Sequence, residues 1–127
     1  MMESKGCPAN VVILTNNIFI CANAGDSRCV VTEGGKALPL SIDHKLTLKK
    51  ERDRIYKAWS TVNIEGRIDG NLNLSRAIGD IAHKKNTKLA LHEQATTSMP
   101  DIKIHQIGAK TDFVTIGCDG IWEIKTN

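Results

Sequence analysis

The pattern of apolar and polar positions changes twice along this chain. From Val11 to Ser41 the sequence "VVILTNNIFICANAGDSRCVVTEGGKALPLS" consists of short apolar runs with turn residues between them. Runs of this kind, bounded by Gly, Asn and Asp, predict a β meander. Asn16 and Asn17 tolerate a left-handed turn and predict a hairpin between "VVILT" and "IFICA". Gly34-Gly35 predicts a second turn after "RCVVT". "VVIL" and "IFIC" are apolar on both faces, which predicts strands buried between two layers.

The period then lengthens. In "TLKKERDRIYKAW", Leu48, Glu51/Arg52, Ile55 and Trp59 fall at helical spacing, predicting one amphipathic helix of about 11 residues. Thr47 is the expected N-cap, and Asp53 with Lys57 the expected i,i+4 pair. "STVNIEGRIDGNLNLSRAIGD" reads as two short extended pieces broken at Gly66 and Gly70. The stretch after it has no clean period and predicts a loop with at most a turn of helix. "DIKIHQIG" alternates Ile102 and Ile104 against Lys103 and His105, as a half-exposed strand does. "TDFVTIGCDG" predicts a closing buried strand. Strands dominate, with no repeat and no interdomain linker.

Composition narrows this to a class. A chain of 127 residues, 41% hydrophobic and 24% charged, is globular and holds one modest core. Two Trp, one Tyr and two Phe leave aliphatic residues to fill it. A net charge of +3 with interspersed signs excludes a nucleic-acid footprint, so no nucleic-acid partner is expected. Cys7, Cys21, Cys29 and Cys118 lack C-x-x-C spacing; three lie in apolar runs, which predicts buried free thiols in a reducing compartment. No run reaches the ~18 apolar residues of a transmembrane segment, and "MMESKGCPAN" has no apolar leader core. A soluble intracellular protein, cytoplasmic in placement, is the expectation.

Two corners look alike. In "ANAGDSR" and "IGCDGIWE" an apolar strand ends at Asp26 or Asp119 beside a glycine. A carboxylate at a strand end suits a hard cation such as Mg²⁺ or Mn²⁺, which takes oxygen ligands and waters. The same residues also serve as turn aspartates bonding local amides. Arg76 and Asp80, four apart in "SRAIGD", could bridge one another. His44, His83, His92 and His105 are scattered and read as surface residues. No serine sits in a nucleophile elbow, and no Gly-rich loop opens a helix.

Taken in order, "GCPANVVIL", "ANAGDSRCVV", "LSIDHK", "ERDRI", "GRIDGNLNLSRAIGD", "PDI" and "DFVTIGCDGIWE" resemble the metal-dependent protein serine/threonine phosphatases of type 2C, over nearly the whole chain. The resemblance implies an α+β fold: an α-β-β-α sandwich of two antiparallel sheets with outer helices, here a single partial domain over 1–127, incomplete at both ends. The segment from about 81 to 99 corresponds to the flap beside the family's active site. The implied chemistry is Mg²⁺- or Mn²⁺-dependent hydrolysis of a phosphoserine or phosphothreonine protein substrate. By motif position Asp119 is a metal ligand. Asp26 matches an acidic residue that helps hold an additional, weaker metal. Glu123 stands where the family usually has a second Asp.

The family's Asp-Gly-His-Gly-Gly motif, its phosphate-binding Arg and its later Asp-Asn pair have no counterpart here. The expectation is therefore a chain inactive alone. The alternative is a degenerate pseudophosphatase, a structural subunit whose cut surfaces are covered by a stable protein partner or larger complex. Trp59, where the family usually has Gly, and Leu46, where it has Pro, are further departures.

Overall fold

The computed structural model describes residues 5–127; the first four residues of the stretch read for a leader lie outside them. Strand β1 (Gly6–Cys7) and β2 (Ala9–Leu14) are followed by β3 (Ile18–Ala24), β4 (Arg28–Glu33) and β5 (Lys36–Pro39). Helix α1 (Lys49–Lys57) comes next, then β6 (Ile78–Gly79), β7 (Asp101–Gln106), β8 (Thr111–Gly117) and the short α2 (Asp119–Trp122). Two three-stranded antiparallel sheets result, ordered β2-β3-β7 and β5-β4-β8, with β1 and β6 forming a separate small ladder. Phe19 and Cys21 from the first sheet meet Cys29 and Val31 from the second, and Leu40 closes this inter-sheet core.

A second core lies under α1. Ile55 and Ala58 pack with Leu46, Ile68 and Ala95, and Ile55 and Ile68 are fully buried. Burying one such Ile contributes about 1.5–3 kcal/mol, which holds the irregular 60–73 segment against the helix. The helix has nine residues rather than the expected eleven. Thr47 does not cap it; the preceding residue is Leu48, in an extended conformation with no side-chain cap. Asp53 pairs with Lys49, one turn earlier, instead of with Lys57.

Both hairpins form, but by different turns. Gly34 and Gly35 take φ of +57° and +73°, the left-handed pair that a two-residue hairpin requires. Asn16 and Asn17 do not go left-handed: positive φ outside glycine occurs only at Trp59, Asp69 and Asp80 among the described residues. The Thr15 hydroxyl instead accepts the Asn17 and Ile18 amides and closes that turn.

Register overturns three burial expectations. On β7, Phe19 pairs with His105 and Cys21 with Lys103, so these two polar residues share the core-facing side. Ile102 and Ile104 consequently point outward, 57% and 60% exposed. Val11 and Ile13 on β2 share that outer face through Ala22 and Ile20 and are also more than half exposed, so β2 is covered on one face only. β8 is an edge strand, with Phe113 and Ile116 exposed. Among the described residues no helix is long and apolar enough to cross a membrane. The span 81–99 holds two 3-10 turns, Ile81–His83 and Leu91–Glu93, in otherwise irregular chain.

Candidate functional site

Strand direction places the acidic corners. β4 begins at Arg28 and β8 ends at Gly117, and these two residues are register partners. Asp26, two residues before one, and Asp119, two residues after the other, therefore project from the same end of their sheet. Arg28 ties the two corners together. Its Nε and Nη2 donate to the two carboxylate oxygens of Asp43 at 2.9 Å each, and its guanidinium lies 5.2 Å from the Trp122 ring centroid. Its Nη1 donates to Oδ1 of Asn127.

The chain beyond β6 supplies a third aspartate. β3 runs out at Ala24 into Gly25, at φ +123°, where a Cβ would stand 2.4 Å from Pro8 and 3.0 Å from the Arg76 carbonyl. The chain there admits only glycine, and this close approach seats "AGD" against "SRAIGD". Asp80 follows β6, with φ of 48° and its residue 4% exposed. Its Oδ2 is buried with no hydrogen-bond partner. An orphaned buried carboxylate oxygen is costly in a protein interior, and such an atom is a natural ligand for a cation.

The other carboxylates are less enclosed. Asp119 opens α2, is exposed, and accepts the Gly120 amide on Oδ1. Asp26 is half-buried with Lys45 Nζ 3.4 Å away. Glu123 is exposed one turn beyond Asp119, and its amide donates to the Asp119 carbonyl. All four are hard oxygen donors of the kind Mg²⁺ and Mn²⁺ take. Among the described residues, however, no group of three or more His, Cys, Asp or Glu is assembled for a metal ion.

A buried charge cluster stands beside these corners. Glu51 of α1 is fully buried and accepts Nη2 of Arg76 at 2.6 Å, with Arg54 Nη1 on its other oxygen. Arg76 Nη1 donates to Oδ1 of Asp101 at 2.8 Å and to the Met99 carbonyl. Arg54 donates to the carbonyls of Ser75, Gln94 and Ala95. Burial by itself would raise the Glu51 carboxyl, but Arg76 and Arg54 outweigh it and hold it down at about 2. Asp101 resists its own desolvation in the same way, kept well below the usual carboxylate range by Arg76 and His44. Arg76 does not bridge Asp80; it is wholly engaged here.

His44 is not a surface residue. It is 3% exposed, its Nδ1 accepts the Gly25 amide at 3.1 Å, and so its Nε2–H donates to Asp101 Oδ2 at 3.1 Å. Burial pushes its pKa below the ordinary value, with Asp101 pulling the other way. His83 and His105 are half-buried and His92 exposed. Of the cysteines, Cys21 and Cys29 are buried free thiols, while Cys118 is exposed despite its apolar run, because β8 is an edge.

A family model described as Protein phosphatase 2C matches residues 1–127. The chain belongs to the protein phosphatase 2C family. It is 48% identical over 122 residues to Probable protein phosphatase 2C 11 of Oryza sativa subsp. japonica, covering 96% of this chain and 33% of the relative. It is 46% identical over 125 residues to Protein phosphatase 1G of Homo sapiens, covering 98% of this chain and 23% of that protein. This type 2C chain thus spans a third or less of these relatives' length. The crystal structure of a phosphatase from a pathogenic strain of Toxoplasma gondii superposes with a TM-score of 0.75 at 34% identity, over 84% of this chain and 32% of that one. The fold is the type 2C sandwich.

The structure brings Asp26 and Asp119 to one end of their sheet and packs the Gly25 corner against the chain at Arg76, four residues before Asp80. Asp80 is not among the sequence-predicted metal positions, being read as a bridging partner for Arg76. The available signal was its setting: like the other two it follows an apolar run and stands beside a glycine.

Proposed function

We propose that this chain supplies carboxylate ligands to the Mg²⁺ or Mn²⁺ centre of a protein phosphatase acting on phosphoserine and phosphothreonine. The observation that carries the reading is the buried, unpartnered Oδ2 of Asp80, in a segment packed against the Gly25–Asp26 corner, with Asp26 and Asp119 at one end of their sheet. Asp119 and Asp80 are the stronger ligands; Asp26 and Glu123 hold a weaker additional ion. Divalent ions so bound supply a water activated near neutral pH and stabilise charge on the phosphoryl oxygens. The chain's own contribution is positional. Arg28 and Asp43 fix the Asp26 turn, and α2 presents Asp119 from its first residue with Oδ1 turned to its own helix amide.

These 127 residues do not by themselves complete a two-ion site, since Mg²⁺ dehydrates reluctantly and needs several fixed oxygens. The test is Mn²⁺-dependent release of phosphate from a phosphothreonine peptide. The expected result is no turnover by this chain, and turnover abolished by Asp119→Ala in a polypeptide of the relatives' length. Turnover unaffected by Asp119→Ala would sink the ligand assignment.

The second reading is a non-catalytic subunit. The apolar outer face of Val11, Ile13, Ile102 and Ile104 favours it, because exposed apolar faces of this kind mark surfaces that another protein layer covers. Co-purification of a stoichiometric partner that protects these four side chains, with no Mn²⁺-dependent activity in the complex, decides for it.

A further inference from the structure

We infer that His44 is a positioning residue that ties the Gly25–Asp26 corner to Ser75 and, through Asp101, to Arg76, so that one network sets the Asp26 corner and the start of the segment carrying Asp80; this rests on the reading of those aspartates as metal ligands. His44 makes four such bonds, two to Gly25, one to Ser75 and one to Asp101. Its side chain accepts the Gly25 amide and donates to Asp101, the residue that also receives Arg76. Its own amide donates to the Gly25 carbonyl, and its carbonyl accepts the Ser75 hydroxyl at 2.6 Å. Asn23, buried at the end of β3, donates to the same Gly25 carbonyl and to Ile42.

Asn23 holds the Gly25 carbonyl and the Arg28–Asp43 pair braces the residues that follow, which leaves the Gly25 amide to His44. Gly25 is at a φ that only glycine adopts freely, so its local chain does not fix the direction in which Asp26 leaves the strand. The imidazole does, and its tautomer is fixed by having an N–H donor on one nitrogen and a carboxylate on the other. Glu51 completes the chain of contacts: it locks Arg76, Arg76 locks Asp101, and Asp101 orients His44. A histidine present only to fill space would contact these groups without transmitting a change at Asp101 to Gly25.

The experiment is amide hydrogen exchange in the full chain, with two substitutions that divide the imidazole's roles. His44→Asn keeps an acceptor at the Nδ1 position but cannot reach Asp101. Asp101→Ala removes the acceptor for Nε2–H at a half-exposed site, while Asp101→Asn retains one. Asp101→Ala is expected to speed exchange at Gly25 by about tenfold, the loss of one hydrogen bond to a charged group. Asp101→Asn restores most of the protection, and in the His44→Asn background Asp101→Ala changes Gly25 by less than about twofold. Equal acceleration in both backgrounds, or none in either, overturns the inference. Mn²⁺-induced broadening of the Asp26 and Asp80 signals separates the two readings. No broadening in the unsubstituted chain counts against the ligand assignment alone, whereas broadening that Asp101→Ala leaves unchanged overturns the positioning role.

Discussion

Glu51 and Arg76 are 25 residues apart in sequence and meet inside the protein, Arg76 Nη2 lying 2.6 Å from Glu51 Oε1 with both side chains buried. Their pairing, with the carbonyl bonds of Arg54 and Arg76, joins the helix to the chain at Ser75, Gln94, Ala95 and Met99. Removing Glu51 leaves two neighbouring guanidiniums with only the half-exposed Asp101 to compensate them. Glu51→Ala is expected to cost about 3–5 kcal/mol in urea unfolding. Arg76→Met should cost less, because Arg54 still compensates Glu51, and a larger loss for Arg76→Met would contradict this ranking.

The same cluster sets the acid limit of stability. His44 has a lowered pKa in the fold, so the unfolded chain binds its proton first, and stability falls as pH drops below about 6.5. Glu51, depressed to about 2, contributes stability that is full above its unfolded value near 4.5 and is lost as pH falls from there towards 2. Asp101 acts in the same direction. Melting temperatures across pH 7 to 3 should decline in two stages, and His44→Asn should flatten the first. A profile flat down to pH 4.5 would contradict the His44 stage.

Trp59 sits at φ of +66° directly after α1 with its side chain 89% exposed. A left-handed non-glycine residue is disfavoured by about 1–2 kcal/mol, and glycine gives back part of that through unfolded-state entropy. Trp59→Gly is therefore expected to raise the unfolding free energy by about 0.5–1 kcal/mol. Unchanged or lower stability would mean that the indole contributes packing of comparable size.

Asp80 should show the opposite balance of stability and function. Asparagine tolerates the φ of 48° and removes a buried charge whose Oδ2 has no partner. Asp80→Asn is expected to stabilise the metal-free chain by roughly 1 kcal/mol while abolishing Mn²⁺-dependent broadening there. Destabilisation by this change would argue that the carboxylate is structurally satisfied.

The four cysteines divide into two pairs. Cys7 and Cys118 are exposed, whereas Cys21 and Cys29 face each other across the inter-sheet core, and burial pushes the Cys29 thiol up to about 12 with Cys21 adding to it. A thiol-reactive dye at neutral pH should label two groups quickly and two only at the rate of unfolding. Rapid labelling of three or four would mean that the sandwich opens readily.

What the sequence determined by itself was local or carried by motif. The Gly34-Gly35 turn, the helix around Ile55, the run of strands along the chain and the family all followed from residues whose meaning survives without neighbours. The Asp26 and Asp119 corners were legible for the same reason, as Gly-adjacent carboxylates at strand ends. Tertiary structure alone decided which face of β7 is inside, because alternation gives two faces and only the pairing of Phe19 with His105 chooses between them. It also decided that Arg76 turns to Glu51 and Asp101, away from the nearby Asp80, since a buried cation takes the partners that complete its hydrogen bonds whatever their distance in sequence. His44 looked like a scattered histidine because its three partners come from three separate segments. Long-range pairing of charges in a low-dielectric interior has no period for a single sequence to display.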